Sequence, residues 1–582
     1  MTDPSAMKTG LRPQLDHVAT NASSPSHMSI RRLDSGLNHF AELVQSISNQ
    51  DIEARYKVEE GDNRVPTDDT PDPSQFQGSE GRTVISWEVN DKENPYNWSL
   101  GRKTFIVTSS MATVANSTLG SSLPSMAIPY MTKEWGVTTQ AQFVLPISTY
   151  LLGYVFGPIF WGPLSEHLGR RNISTGCFIM YVIWTLACAL APNWPAMLVF
   201  RFFVGACASA PIAVVSGILA DLFNDPVTRG RAMACFMAMT ALGPLLAPII
   251  SGFCSTSIGW RWTFWIGLII AGVTLIMAFF LPETYAPVLL SQRAAKIRKA
   301  DPKAQVYSAS ELEPHDFKLL FTRVLTRPIR MILTELIVTA TCLYLSLVYT
   351  IFYMSFQAFP IIFQNVYGLS PGVTGLCYLP VGVGALLAVP IFFGYDHIVL
   401  NAKARGTPWS KIEEYRRVPL ACLGGPLFAM SLFWLGWSSR PNVSFVVPML
   451  AGIPFGGGYM LIFMSLLNYL TDAYEIFAAS ANAAASSCRS VFAVILPLAT
   501  TPMFARLGVS GACSLLGGLS LLMSIIPFIF IWKGEDIRAR SKFCIALKER
   551  KLEMERKNKE EREKKARVVG NNGVADEKEI EV

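Results

Sequence analysis

The chain has 582 residues, 51% of them hydrophobic and 16% charged, with a formal net charge of +7 and a mean hydropathy of +0.33. Soluble domains carry about a quarter of charged residues, so this composition excludes an ordinary water-soluble globule and indicates a polytopic membrane protein. The positive excess sits mostly in links and tails, where it reads as topology and attraction to membrane lipid, and nucleic acid is not an expected partner.

The eleven cysteines are scattered through apolar segments with no C-x-x-C pair, so neither a disulfide framework nor a metal site is predicted. No G-x-x-x-x-G-K-[ST] loop occurs, which excludes an ATP-driven pump of that type. No cofactor is expected, and energy has to come from an ion gradient or from the substrate's own. Residues 1–100 are polar, lack a secretory core and are expected to form a disordered cytoplasmic tail. The tail closes on Asn94-Pro-Tyr-Asn-Trp98-Ser-Leu-Gly-Arg102-Lys103, with Trp98 expected at the headgroup level and the two cations holding the first span's start inside.

A hydropathy window of about 19 residues places spans near 104–126, 140–161, 173–191, 196–222, 232–254, 262–281, 331–359, 374–395, 418–437, 444–470, 484–505 and 511–532. Twelve is even, so both tails lie on one side. The predicted inner links hold Arg170, Arg171, Arg229, Arg231, Lys403, Arg405, Lys411, Arg416 and Arg417, and the central one adds nine more cations between Arg293 and Arg330. The outer links hold only Lys133, Arg261, Arg440 and Arg506, which fixes both tails in the cytoplasm. The predicted fold is an all-α membrane protein with twelve transmembrane helices in two six-helix bundles, 101–282 and 331–532. They are joined by a cytoplasmic loop at 283–330 and followed by a charged tail at 533–582. A binding site is expected near the midplane where the halves meet.

Between the second and third spans lies Gly162-Pro-Leu-Ser-Glu166-His-Leu-Gly169-Arg170-Arg171, a tight charged hairpin at the inner surface. Its spacing resembles the signature loop of major facilitator transporters, with Glu166 where Asp is usual and His167 where a base is usual. Leu198-x-x-Arg201-x-x-x-Gly205 resembles that family's intramembrane arginine motif. Gly243-Pro244-x-x-Ala247-Pro248-x-x-Ser251-Gly252 is similar to its antiporter repeat, with Ala247 and Ser251 replacing two glycines. Gly259-Trp-Arg-Trp-Thr-Phe-Trp265, Pro282-Glu-Thr-Tyr-Ala-Pro287 and Tyr474-x-x-Phe477-Ala-Ala-Ser480-Ala481 resemble further marks of the fungal twelve-span drug:proton antiporters. That group holds polyamine, azole and toxin exporters. The resemblance covers about 94–545 and implies export of small amphipathic compounds in exchange for protons, by a functional monomer at the cell surface. An importer in the same fold, and a transport-dead sensor using its tails, are the alternatives.

Several residues carry expected roles. Gly243, Pro244, Pro248 and Gly252 remove bulk and a backbone hydrogen bond, making the fifth span a hinge and a seal. Arg201, a turn and a half from Pro195 among apolar neighbours, is costly unless it faces a cavity or a partner, and is a candidate for coupling. Arg170 is expected to bridge Glu166 and Asp221 and so lock the halves, with Glu166 facing the positive end of the eleventh helix. All six histidines lie in predicted tails or loops, which leaves Glu335, one turn into the seventh span, as the proton-carrying candidate. The resemblance implies a cleft lined by the first, fourth, seventh and tenth spans. There Tyr344, Tyr349, Tyr353 and Gln357, with Asn116, Ser117 and Asn468, are candidate substrate contacts. Asn442-Val-Ser444 is a glycosylation sequon in a short outer link.

Overall fold

The computed structural model describes residues 83–556 except 89–90, 303–304, 313–316, 475–476, 542, 546, 550–551 and 554–555. Most of the expected amino-terminal tail and the end of the charged carboxy-terminal tail lie outside the described residues. Among those described, twelve membrane-length passages form. They are Leu100–Ser122, Gln140–Leu168, Arg170–Ala189, Trp194–Leu222, Val227–Ser257, Arg261–Phe279, Leu336–Gln364, Pro371–Ala404, Glu413–Ser438, Val446–Tyr474 and a final stretch, Ala478–Arg540, that makes two. Gly508, at φ 69° and ψ 176°, turns that stretch back between the eleventh and twelfth passages, a conformation open to glycine.

Several helices run past the apolar windows read from sequence, because backbone hydrogen bonding continues beyond the apolar stretch. The seventh span begins later than expected. Residues 331–334 belong to a separate helix, Phe317–Thr334, and the chain breaks at Glu335 (φ −107°, ψ 108°) before Leu336. The first span is polar, yet Ser109, Ser110, Thr113, Asn116, Ser117, Thr118, Ser121 and Ser122 are all buried. It is packed by the fourth, fifth and sixth spans, and so does not need an apolar surface facing lipid.

The two halves repeat one another. Within the first half the second span packs on the fourth, the third on the fourth and sixth, and the first on the fifth. Six spans later the eighth packs on the tenth, the ninth on the tenth and twelfth, and the seventh on the eleventh. The repeat extends to the atoms. Gly153 and Gly205 let the backbones of the second and fourth spans touch, and Gly384 and Gly456 do the same for the eighth and tenth. Between the halves the second span meets the eleventh and the fifth meets the eighth, a pair of contacts the repeat converts into each other.

The segments that precede and join the two halves are more ordered than expected. Thr83–Ile85, read from sequence as part of a disordered tail, forms a strand β1 paired in parallel with β2, Val306–Ser308, in register Thr83↔Val306. The β-branched Thr83, Val84 and Ile85 suit an extended strand, and Asp91 fastens the segment to Arg293 at 2.5 Å. The central segment is also not a loop throughout, since Ala286–Ala300 is a helix. Trp98 is buried beneath Arg102, whose guanidinium lies 3.6 Å from the ring centroid. None of the eleven cysteines is joined in a disulfide.

Candidate functional site

The signature hairpin is shaped by Gly169, whose φ of 94° ends the second span and starts the third within one residue. The third helix then opens with unpaired N–H groups, and Glu283, from the sequence motif after the sixth span, caps them. Its carboxylate accepts from Arg170 N at 2.9 Å and Arg171 N at 3.1 Å, and from its own Thr284 and Tyr285 amides at 3.0 Å. Arg170 turns inward and is buried. Its Nε lies 3.3 Å from Asp221, an Nη lies 3.6 Å from Glu166, and another donates to Ser165 Oγ at 2.7 Å.

The expected cluster therefore forms, but it lies within one half. Glu166, Arg170 and Asp221 all belong to the second, third and fourth spans, so the cluster braces one half internally and does not join the two. Among the described contacts Glu166 does not reach the start of the eleventh helix. Gly162 likewise has no neighbour within 4 Å of where a side chain would begin. A second cluster, which the sequence analysis did not assemble, occupies the equivalent place in the other half. Arg417 Nε donates to Asp472 at 3.0 Å, and its Nη1 lies 3.6 Å from Asp396. Inner Arg–acid pairs at a six-span offset are the sequence signal that could have found it.

Arg201 is buried and hydrogen-bonded to three main-chain carbonyls: Pro146 at 2.8 Å, Gly120 at 2.7 Å and Ser121 at 2.8 Å. It also stacks over Tyr150, 4.5 Å to the centroid. The carbonyls of Gly120 and Ser121 come at the end of the first helix, where helical partners run out. Arg201 thus ties the outer end of the first span to the start of the second, and a narrow crevice lined by Gly120, Thr185, Cys188 and Phe264 lies beside it. Glu335 is not a turn inside its span. It is the residue just before the seventh helix, 2% exposed, and accepts a 3.0 Å hydrogen bond from Tyr474.

The fifth span runs unbroken through Pro244 and Pro248. Gly243 lies against Thr118 and Ala115 of the first span, and Ser122 donates to the Pro244 carbonyl at 2.9 Å. Gly252 faces the Pro371 carbonyl and Gly375 faces the Pro248 carbonyl, so the outer half of the fifth span presses backbone to backbone on the start of the eighth. Across the other seam Ser148 donates to Val494 O at 3.1 Å. The halves are in contact at the end that carries Ser148 and Pro371.

Of the candidate substrate contacts, two stand on the seam. Tyr353 Oη lies 2.9 Å from Ser121 Oγ of the first half and 3.5 Å from Tyr349 Oη, and the two rings are 4.9 Å apart. Tyr154 of the second span, bonded to Ser117, and Tyr459 and Phe463 of the tenth extend this aromatic row. Asn116 instead points into its own half and bonds Thr274 at 2.7 Å. The Tyr344 hydroxyl lies against Gly425 of the ninth span, away from the seam. Gln357 is half-buried with its Oε1 unpaired, and Asn468 bonds Met464 O of its own helix at 2.6 Å. Asn442 is exposed in the turn before the tenth span. The sequence analysis missed Arg489 of the eleventh span, whose guanidinium stands 5.3 Å from the Tyr349 centroid and 5.7 Å from that of Phe463. A lone cation in an otherwise uncharged span was the signal for it.

Two repeated six-helix bodies, meeting along two equivalent seams around an aromatic centre, are the architecture of a secondary transporter. The chain belongs to the Major Facilitator Superfamily, whose family profile matches residues 111–497. It is 36% identical over 477 residues to the protein named Efflux pump FUB11 of Gibberella moniliformis, covering 80% of this chain and 79% of that one. It is 36% identical over 464 residues to the Citrinin biosynthesis cluster MFS transporter mrr1 of Monascus ruber, covering 79% and 92%. A transporter of Penicillium rubens, paaT, is 32% identical over 555 residues, covering 93% and 99%. Among solved structures, the xylose transporter XylE from E. coli matches with a TM-score of 0.52 at 15% identity, over 74% of this chain and 99% of that one. That likeness concerns the fold alone.

Proposed function

We propose that this protein exports small amphipathic organic compounds from the cytoplasm in exchange for protons, by alternating access between its two halves, as a monomer in the plasma membrane with both termini inside. The observation that carries the reading is the seam. Each half is braced internally by buried charge, while the halves meet through small residues and a few hydroxyls around Tyr154, Tyr349 and Tyr353. The names of the fungal relatives, efflux pump and biosynthesis-cluster transporter, favour export over import. For the proton, Glu335 is the carboxylate best placed. It is buried, takes a hydrogen bond from Tyr474, and has no cationic partner among the described residues.

The test uses a panel of aromatic fungal metabolites and azoles, with accumulation measured in cells that lack or overexpress the protein. Export predicts lower accumulation on overexpression, and higher accumulation would make the protein an importer. In vesicles, collapsing the pH gradient alone is expected to stop transport. Unchanged transport after that collapse would refute proton exchange, and unchanged pH dependence in Glu335→Gln would remove Glu335 from it.

A further inference from the structure

The membrane-embedded arginines of this chain are engaged in different ways. Arg170 and Arg417 face carboxylates, and Arg201 gives its hydrogen bonds to three carbonyls. Arg489 is different. It lies eleven residues beyond Ala478, roughly 16 Å along the helix from the inner end. The acids of the described spans cluster at the inner ends, where Asp221, Asp396 and Asp472 already face arginines and Glu335 faces Tyr474. Among the described contacts, the Arg489 side chain donates from Nη2 to Ser486 Oγ of its own helical turn, 3.2 Å away, and Nε is buried without a partner.

The guanidinium is nevertheless held in place. The rings of Tyr349 and Phe463 flank it, and through Tyr349 it adjoins Tyr353, whose hydroxyl reaches Ser121 in the other half. A permanent cation, partly buried and left with donor capacity on its buried Nε, is costly inside a span unless something supplies negative charge. The phenol and phenyl rings beside it offer a stacking surface for a flat apolar body.

We propose that Arg489 is the anion-recognising residue of the transport cleft, and that the preferred substrates are organic acids: an apolar or aromatic body carrying a carboxylate or comparable anionic group, its charge on Arg489 and its body along Tyr349, Tyr353 and Phe463. This rests on the export reading and narrows it. It disfavours the cationic amines and polyamines that an aromatic cleft alone would admit, because Arg489 repels them. Anionic lipid headgroups carry the same charge as an organic acid, and the test separates the two sources.

The full chain is placed in nanodiscs of phosphatidylcholine, and equilibrium binding of 1-naphthoate, 1-naphthamide and 1-naphthylmethylammonium is measured. These three probes share a ring and differ in charge. One charge-assisted hydrogen bond is worth roughly ten- to hundredfold in affinity, so the acid should bind more tightly than the amide by at least that lower factor, and the ammonium most weakly. Arg489→Gln should bring acid and amide together without weakening the amide, and Arg489→Lys should restore part of the preference. Retention of the amide affinity shows that the variant is folded. Equal binding of acid and amide by the unaltered protein, no binding of the acid, or an undiminished preference in Arg489→Gln overturns the proposal. Repeating the measurement in phosphatidylglycerol nanodiscs distinguishes the sources. An unchanged preference supports a soluble acid, and its loss assigns the site to lipid and overturns the substrate assignment. Binding is read without transport. A protein that selects the acid but exports nothing refutes export alone, and efflux that Arg489→Gln leaves unaltered for acids and amides alike refutes this inference alone.

Discussion

Arg170→Ala and Asp221→Asn, made singly and together, measure the brace inside the first half. The Arg170 side chain is 8% exposed and that of Asp221 17%. Removing one partner of a fully buried pair costs about 3–5 kcal/mol. The residual exposure of Asp221 at the inner surface reduces the expected cost of Arg170→Ala to about 2–3 kcal/mol. Asp221→Asn is expected to cost only about 1 kcal/mol, because Asn can still accept from Nε and Arg170 keeps Glu166 at 3.6 Å and Ser165 at 2.7 Å. The double variant should then cost no more than Arg170→Ala alone, leaving a coupling energy of about 1 kcal/mol. Gly217 provides a probe that removes no charge. A methyl group there would lie 2.6 Å from Arg170 Cζ, so Gly217→Ala should push the guanidinium off Asp221 and lower stability in the same direction. Thermal unfolding of the purified variants in one detergent reads all four. Single losses that add to within about 0.5 kcal/mol, or a Gly217→Ala protein as stable as the unaltered one, would refute the brace.

Arg201→Lys should destabilise the protein by about 2–4 kcal/mol, since one ammonium cannot reach the three carbonyls the guanidinium fork serves; unfolding midpoints check it, and no change would show those bonds to be dispensable. Gly252→Val puts a branched side chain against the Pro371 carbonyl. An overpacking cost of about 1–3 kcal/mol on the outwardly closed state lowers its population by roughly five- to hundredfold, so transport should fall by a similar factor while the detergent-purified protein remains folded. The ion pair of Arg298 with Glu311 in the central segment, 2.8 Å apart, should depend on pH. Hydrogen bonding from Arg298, aided by Ser291 and the Ser308 amide, pulls the Glu311 carboxyl down to about 2. A carboxyl whose folded value lies below its unfolded one stabilises fully above the unfolded value, about 4.5, and loses that contribution as pH falls from there toward 2. Limited proteolysis of the central segment should therefore accelerate across that acid range, and Glu311→Gln should flatten the change.

The span count was legible because it depends on composition averaged over whole segments. The hairpin was legible because Gly169 and Arg170 are consecutive and each has a strong local meaning. Roles requiring knowledge of facing were not. Asn116 and Tyr349 are both polar-capable residues in spans expected to line the cleft, but one faces Thr274 inside its bundle and the other faces Arg489. A helix of near-uniform hydropathy gives no phase from which to tell them apart. Arg201 was read as a charge in search of a partner because main-chain carbonyls do not appear in a sequence. Glu283 lay within a noted motif, but its task as a cap depends on a helix start 113 residues earlier in the chain. The β1–β2 pairing was hidden for a related reason, since each three-residue strand is too short to show a period and depends on the other.

The distribution of interaction strength bears on how such a protein can move. Within each half, a buried arginine is held by two acids from neighbouring spans, and glycines bring helix backbones into direct contact, so each half resists internal deformation. Between the halves the contacts consist of small residues, aromatic edges and isolated hydroxyl bonds such as Ser148 to Val494 and Ser487 to Val155. These can part without stranding a buried charge, which is the largest penalty available in such a setting. The seam is also the boundary the repeat defines, with the contact of the second and eleventh spans mapping onto that of the eighth and fifth. Rocking about it can close one end as the other opens while neither half is rebuilt. It follows that the Arg170 and Arg417 clusters act as separate units. Variants in one cluster should couple strongly with their own partners and add simply with variants in the other, and measurable coupling between the two would mean that the halves do not move as bodies.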